Sequence, residues 1–138
     1  LQLEYADMHG STILLFIIHR AIAGSMERFM SVIIEHFAGA FPFWLSPVQI
    51  QIFPVSDTHL EYGEAVLATF LEVGMRAELV DSSQTLAKRV RDWKLAKVPY
   101  AIVIGDNEIE DKKITVESRD NGKLGTKTIK EFIEYTNN

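Results

Sequence analysis

The sequence predicts an α/β fold: a mixed, mostly parallel sheet flanked by helices, preceded by a shorter strand–strand–helix segment. Three observations carry this. From Val48 onward, β-rich runs alternate with helical stretches of roughly 10–15 residues, the pattern of strands joined by crossover helices. Two prolines interrupt Phe41-Pro42-Phe43-Trp44-Leu45-Ser46-Pro47, so no regular element continues through it, and we divide the chain into 1–46 and 47–138. Ahead of that connector, Ile13 to Ile18 is apolar without helical spacing, as in a strand covered on both faces.

Leu1 to Ala6 alternates as a strand and Asp7 to Gly10 is a turn, leading to the expected buried strand Ile13–His19. A helix follows over Ser25–Ala38, punctuated by Gly24 and Gly39, with Met26, Phe29, Met30, Val32, Ile33 and Phe37 as an expected buried stripe. After the connector come strand Val48–Val55, helix Leu60–Gly74 and strand Ala77–Val80. Helix Thr85–Ala96 is next, with Leu86, Val90 and Trp93 facing inward, then strand Tyr100–Ile104. Gly105–Lys113 reads as a loop, Ile114–Ser118 alternates, and Thr128–Tyr135 closes with Ile129, Phe132 and Ile133 packing down. In parallel sheets the loops at strand ends carry function, which directs attention to Gly105–Lys113.

Composition narrows the function. Apolar residues make up 47% and charged residues 24%, which excludes a disordered chain. The Ile13–Ile18 run is too short to span a bilayer, no membrane role is expected, and no cationic leader precedes it. With no cysteine, disulfides, thiol catalysis and thiolate metal sites are excluded within the chain, and a reducing, cytoplasmic location is the expectation. The net charge of −5 is uneven: residues 1–84 hold three basic against ten acidic side chains, whereas 85–138 hold eleven against nine. Lys88, Arg89, Arg91, Lys94 and Lys97 cluster within ten residues, which is either a solvated helix face or one polyanion contact.

Two segments carry chemistry. His19-Arg20-Ala21-Ile22-Ala23-Gly24-Ser25-Met26-Glu27-Arg28-Phe29 runs from a strand through a glycine turn into a helix with an arginine in its first turn. Backbone N–H groups, a helix N-terminus and a guanidinium converge there, which suits a phosphate. Taken alone, a Glu27–Arg28 pair and a core His19 explain the segment more simply. The second segment runs from Asp81 through the basic helix into Val98-Pro99-Tyr100. It continues as Gly105-Asp106-Asn107-Glu108-Ile109-Glu110, Ile114 to Arg119, and Gly122-Lys123-Leu124-Gly125-Thr126.

Together these resemble the threonyl branch of the class II aminoacyl-tRNA synthetases. The first segment resembles motif 3, continuing without a gap through Ile34 to Pro47. Residues 47–135 resemble the anticodon-binding domain shared by the threonyl, prolyl, histidyl and glycyl enzymes. The resemblance implies that residues 1–46 are a strip of an antiparallel catalytic core. Arg28 would be catalytic, holding ATP phosphates, and Ser25 would line the adenylate pocket. His19 would be one of three zinc ligands, the others absent from this chain, so no metal or ATP-Mg is expected to be held by the chain alone. The parent enzyme would use zinc, ATP-Mg and threonine, charge threonine tRNA, and act as a homodimer.

In the second part, the resemblance assigns Arg91, Lys97 and Glu108 to the anticodon, with Ser83, Glu117 and Arg119 at matched positions. Splayed anticodon bases are read by edge hydrogen bonds and stacking, and their phosphates by Lys and Arg. Trp93 lies on the Leu86–Val90 stripe, which favours the core over a base stack. Three positions depart from the family pattern: Ser83 replaces an asparagine, Lys97 an arginine, and Glu117 an arginine. Arg119 is the nearest residue to compensate. A non-catalytic adaptor that binds another RNA or a protein is the alternative, and the intact His19–Arg28 segment argues against it. A stand-alone small-molecule domain lacks a glycine-rich fingerprint after Val48–Val55.

Overall fold

The structure, a computed structural model, describes residues 4–14, 18 and 20–137. It divides into two compact units, Leu1–Ile33 and Ile34–Asn138.

In the first unit, β1 (Glu4–Ala6) pairs antiparallel with β2 (Thr12–Leu14). Asp7 sets the turn, its Oδ1 accepting from the N–H groups of His9 at 2.8 Å and Ser11 at 2.9 Å. Helix α1 (Met26–Phe37) starts at Ser25, whose Oγ accepts the Arg28 N–H at 3.3 Å. The expected burial of this region is not observed. Ile13 and Leu14 are exposed, and α1 has no buried residue although its apolar side chains do share a face. A two-stranded ribbon leaves both faces open, and on the α1 stripe only Ile33 and Phe37 are half-buried, with Phe37 edge-on to the Phe41 ring. The remaining residues of the expected Ile13–His19 strand, apart from Ile18, lie outside the described residues.

The second unit is a five-stranded sheet in the order β4-β3-β5-β6-β7, formed by β3 (Ile50–Pro54), β4 (Ala77–Leu79), β5 (Tyr100–Ile104), β6 (Ile114–Ser118) and β7 (Gly122–Lys127). Strands β4, β3 and β5 are parallel, β6 opposes β5, and β7 opposes β6. Only β6 therefore runs against the rest, so the sheet is mixed and mostly parallel as expected. Its helices are α2 (Leu60–Glu72), α3 (Leu86–Ala96), the short α4 (Asp106–Asp111) and α5 (Ile129–Asn137).

Strand alternation decides what each face does. Ile50, Ile52, Ile102, Ile104, Ile114 and Val116 point to one core, closed by Val66 and Phe70 of α2 and Phe132 of α5. The Phe70 and Phe132 rings meet edge-on at 5.8 Å. Phe53 and Ala101 point the other way, into a smaller core with Trp93 of α3 and Val98. On β6 the same alternation leaves Thr115 and Glu117 half-buried between buried Ile114, Val116 and Ser118.

Two elements differ from expectation. Gly105–Lys113 is not an open loop, because α4 forms there. Glu108 accepts the Gly105 N–H at 2.9 Å, and Lys112 closes the turn in the left-handed region. Six residues are too few for a periodic signal. Strand β7 was hidden by two glycines, Gly122 and Gly125, both at positive φ. Pairing with β6 makes the strand, and the register shifts at Val116/Glu117.

Candidate nucleic-acid interface

In the first unit, Arg28 lines an open cleft of about 320 Å³ with Ala23, Gly24, Phe29 and Val32. Its side chain forms no ion pair among the described residues, so the Glu27–Arg28 pairing is not formed. An unpaired guanidinium in the first turn of a 12-residue helix suits an anion. Ser25 caps that helix. His19 lies outside the described residues, and among those described no three ligating side chains gather for a metal.

In the second unit, the basic cluster separates into different jobs. Arg89 is buried, and its Nη1 donates to the carbonyls of Pro54 at 2.8 Å and Val80 at 3.5 Å. It ties α3 to the ends of β3 and β4 and adds nothing to an outer charged face, a correction to the five-residue patch. Lys94 sits 3.5 Å from Glu117 on β6. Lys97, in the left-handed C-cap position, donates its Nζ to the Ala38 carbonyl. Lys88 and Arg91 are exposed, without an ion pair among the described residues. They stand three apart, on one stripe of the helix.

Beside α3, the sheet face bearing Thr115 and Glu117 forms an open polar strip. Trp93, Lys94, Glu117, Ser118, Arg119 and Gly122 line a cleft there of about 380 Å³. Cross-strand pairing puts Glu117 opposite Ala101 and Lys123, which sets its place on this face. Its carboxylate is locally balanced by Lys94.

Glu108 sits at the far end of β5. Its Oε1 accepts from the Thr115 hydroxyl at 2.7 Å and its Oε2 from the Gly105 N–H. Burial pushes the carboxyl upward, but these hydrogen bonds outweigh it and hold the group below the usual carboxylate range. Each oxygen retains a lone pair for a further donor. Asp106 beside it accepts from buried His59 at 2.9 Å. The His59 Nδ1 accepts the Ser56 N–H at 3.2 Å, so Nε2 carries the proton. This pair, invisible to sequence spacing at a separation of 47 residues, braces the helix that carries Glu108.

Arg119 is heavily committed. Its Nη1 donates to Phe41 and Lys97 carbonyls at 3.0 and 2.8 Å, while Nε and Nη2 hold Asp120 in a fork, each at 2.9 Å. This contact also holds the Asp120 carboxyl below its ordinary range. Ser83 lies in the turn before α3, its N–H and hydroxyl both donating to Asp81. Thus Lys94, Lys97, Glu117 and Arg119 gather at one end of the strip and Glu108 at the other. Arg91 and Ser83 line neither end.

Comparison with known proteins resolves the family. The description "anticodon binding domain" matches residues 49–138, most of the chain. The chain belongs to the anticodon-binding domain family. Relatives of this anticodon-binding domain chain include the threonine–tRNA ligase of Sulfurihydrogenibium, 48% identical over 120 residues, covering 86% of this chain and 18% of that protein. The threonine–tRNA ligase of Clostridium tetani is 39% identical over 135 residues, covering 98% of this chain and 21% of that protein. A crystal structure of the RNA-binding domain of threonyl-tRNA synthetase from Cryptosporidium parvum superposes with a TM-score of 0.81 at 36% identity. It covers 98% of this chain and 34% of that one. The chain spans about a fifth of the length of the curated relatives it matches.

Proposed function

We propose that this chain is the C-terminal part of a threonine–tRNA ligase, and that its own capability is recognition of the threonine tRNA anticodon. The observation that carries the reading is the polar strip between α3 and β6, with uncommitted Arg91 and Lys88 on the adjoining helix. Phosphates of an RNA loop meet Lys88 and Arg91, while splayed bases lie across the strip between Glu117 and Glu108. Glu108, kept ionised by its hydrogen bonds, accepts from a base edge. Glu117 and Lys94 offer an acceptor and a donor side by side. Ser83, in the turn before α3, lines the cleft between α3 and strands β3 and β4 rather than the strip. Lys97 and Arg119 act chiefly as positioning residues, since their donors already hold backbone carbonyls.

Residues 1–46 belong, on this reading, to the catalytic core, and 47–138 form the anticodon-binding domain. Arg28, unpaired at the head of α1, meets the phosphates of ATP and Ser25 the adenylate. That free arginine supports catalytic parentage over an adaptor. His19 is one zinc ligand of the parent, and among the described residues no three ligating side chains gather to complete a metal site. The parent, a cytoplasmic homodimer, activates threonine with ATP-Mg. The chain alone should show no threonine-dependent ATP–pyrophosphate exchange.

The test is a salt titration of binding to threonine tRNA and to an unrelated tRNA. Threonine tRNA should bind more tightly, and Arg91→Ala should weaken binding and reduce the log–log salt slope by about 1. Equal affinity for both tRNAs would remove the specificity claim.

A further inference from the structure

Among the described residues, three other than glycine take the left-handed backbone region, and two of them are tied to each other. Ala38 has φ 49° and Lys97 φ 56°, and the Lys97 Nζ donates to the Ala38 carbonyl, 59 residues away in sequence. Ala38 and Gly39, at φ 78°, are the successive left-handed residues that end α1, and the Ala40 N–H returns to the Phe37 carbonyl at 2.8 Å. At Ala38 that conformation is costly, because the methyl group crowds the carbonyl that follows it. The Lys97 ammonium holds this same carbonyl and offsets the cost. Its stem lies along the turn, since a Cβ added to Gly39 would come within 3.9 Å of the Lys97 Cδ.

Lys97 is also the cation at this end of the strip most easily drawn away. Lys94 is matched by Glu117 and Arg119 by Asp120, whereas Lys97 is exposed and has no carboxylate within ion-pair distance among the described residues. A phosphate oxygen is a stronger partner for an ammonium than a neutral carbonyl is. Lys88, Arg91, Lys94 and Lys97 recur every three residues, so the run of positive charge along α3 leads to this residue. The backbone of Lys97 is not free to follow its side chain. The Arg119 Nη1 donates to the Lys97 and Phe41 carbonyls at 2.8 and 3.0 Å, and the same guanidinium is forked onto Asp120. Movement is thereby confined to the Lys97 side chain and the turn at residues 38–40. Two arrangements are open: the ammonium on the Ala38 carbonyl, or the ammonium on a phosphate with the left-handed alanine unsupported.

We propose that the Lys97–Ala38 contact is a latch released by RNA: a phosphate of the bound loop takes the Lys97 ammonium and frees the turn that ends α1. The inference rests on the RNA-binding reading above and adds to it a response within the chain. Because such coupling is reciprocal, the latch also opposes RNA at this position until it opens. The experiment measures hydrogen exchange of the Ala38 and Ala40 amides, which bond to the Glu35 and Phe37 carbonyls, in the free chain and with threonine tRNA bound. Both should exchange about tenfold faster in the complex, the ratio that one charge-assisted hydrogen bond carries, while Ile52 and Ile102 in the sheet stay protected. Lys97→Met keeps the stem and removes the ammonium, so it should show the fast exchange without RNA, and tRNA should then add nothing. Ala38→Gly removes the strain and leaves every side chain of the strip in place. It should bind tRNA as the parent does, with an exchange response below about twofold. Tight tRNA binding with unchanged Ala38 and Ala40 exchange, or parent-like slow exchange in Lys97→Met, would overturn the latch and leave the anticodon reading standing. An undiminished response in Ala38→Gly would also overturn it. Failure of the parent chain to bind threonine tRNA would sink the anticodon reading, and the latch with it.

Discussion

Arg91 and Trp93 sit two residues apart on one helix and do opposite work. Trp93 is among the largest fully buried side chains, packed with Phe53, Val98 and Ala101. Trp93→Ala should cost about 3–5 kcal/mol in chemical denaturation, through lost burial and the cavity left behind. Arg91→Ala, on the exposed face, should stay within about 0.5 kcal/mol of the parent stability while weakening RNA binding. A denaturation midpoint for Arg91→Ala as low as that for Trp93→Ala would contradict this division. The helical spacing of Leu86, Val90 and Trp93 was enough to place the tryptophan, because inward faces recur at three and four residues. The same logic could not find Arg89. Its burial depends on two carbonyls, of Pro54 and Val80, that only folding brings to it.

At the scale of the element, α4 fixes the Glu108 carboxylate in place. With only six residues, it depends on its cap, the Glu108 carboxylate on the Gly105 N–H. The folded pKa of Glu108 lies below its ordinary value, so the charged cap stabilises the fold at pH above the ordinary carboxylate pKa of about 4.3. That stabilisation is lost as pH falls through the folded value. The Gly105 amide resonance should therefore titrate at acid pH below that ordinary value, and Glu108→Gln should abolish the titration. An unchanged Gly105 titration in Glu108→Gln would remove the cap from the account. The sequence directs attention to this segment but reads it as a loop, since a single turn has no periodicity to detect. Strand β7 escaped for a related reason: its glycines argue against a strand, and the partner β6 overrules them.

At the scale of the whole molecule, the connector is held within the second unit by side chains that donate to its carbonyls. Arg76 donates to Trp44 and Ser46 carbonyls at 2.8 and 2.9 Å, Gln49 to Phe43 at 2.9 Å, and Arg119 to Phe41. Arg119→Ala should raise hydrogen exchange of the Leu45 and Ser46 amides, which bond back to Pro42, and leave Ile52 and Ile102 protected. Equal loss of protection in both places would mean that Arg119 supports the sheet rather than the connector. What the sequence by itself determined is the fold class, the central strands, the longer helices and the family, because period, punctuation and motif wording are local properties written along the chain. Tertiary structure alone decided which basic residues remain available, which carboxylates are engaged, and that Arg89 is buried against the Pro54 and Val80 carbonyls. Hydrogen-bond partners tens of residues apart are chosen by sheet order and strand register, and neither of those is a local property.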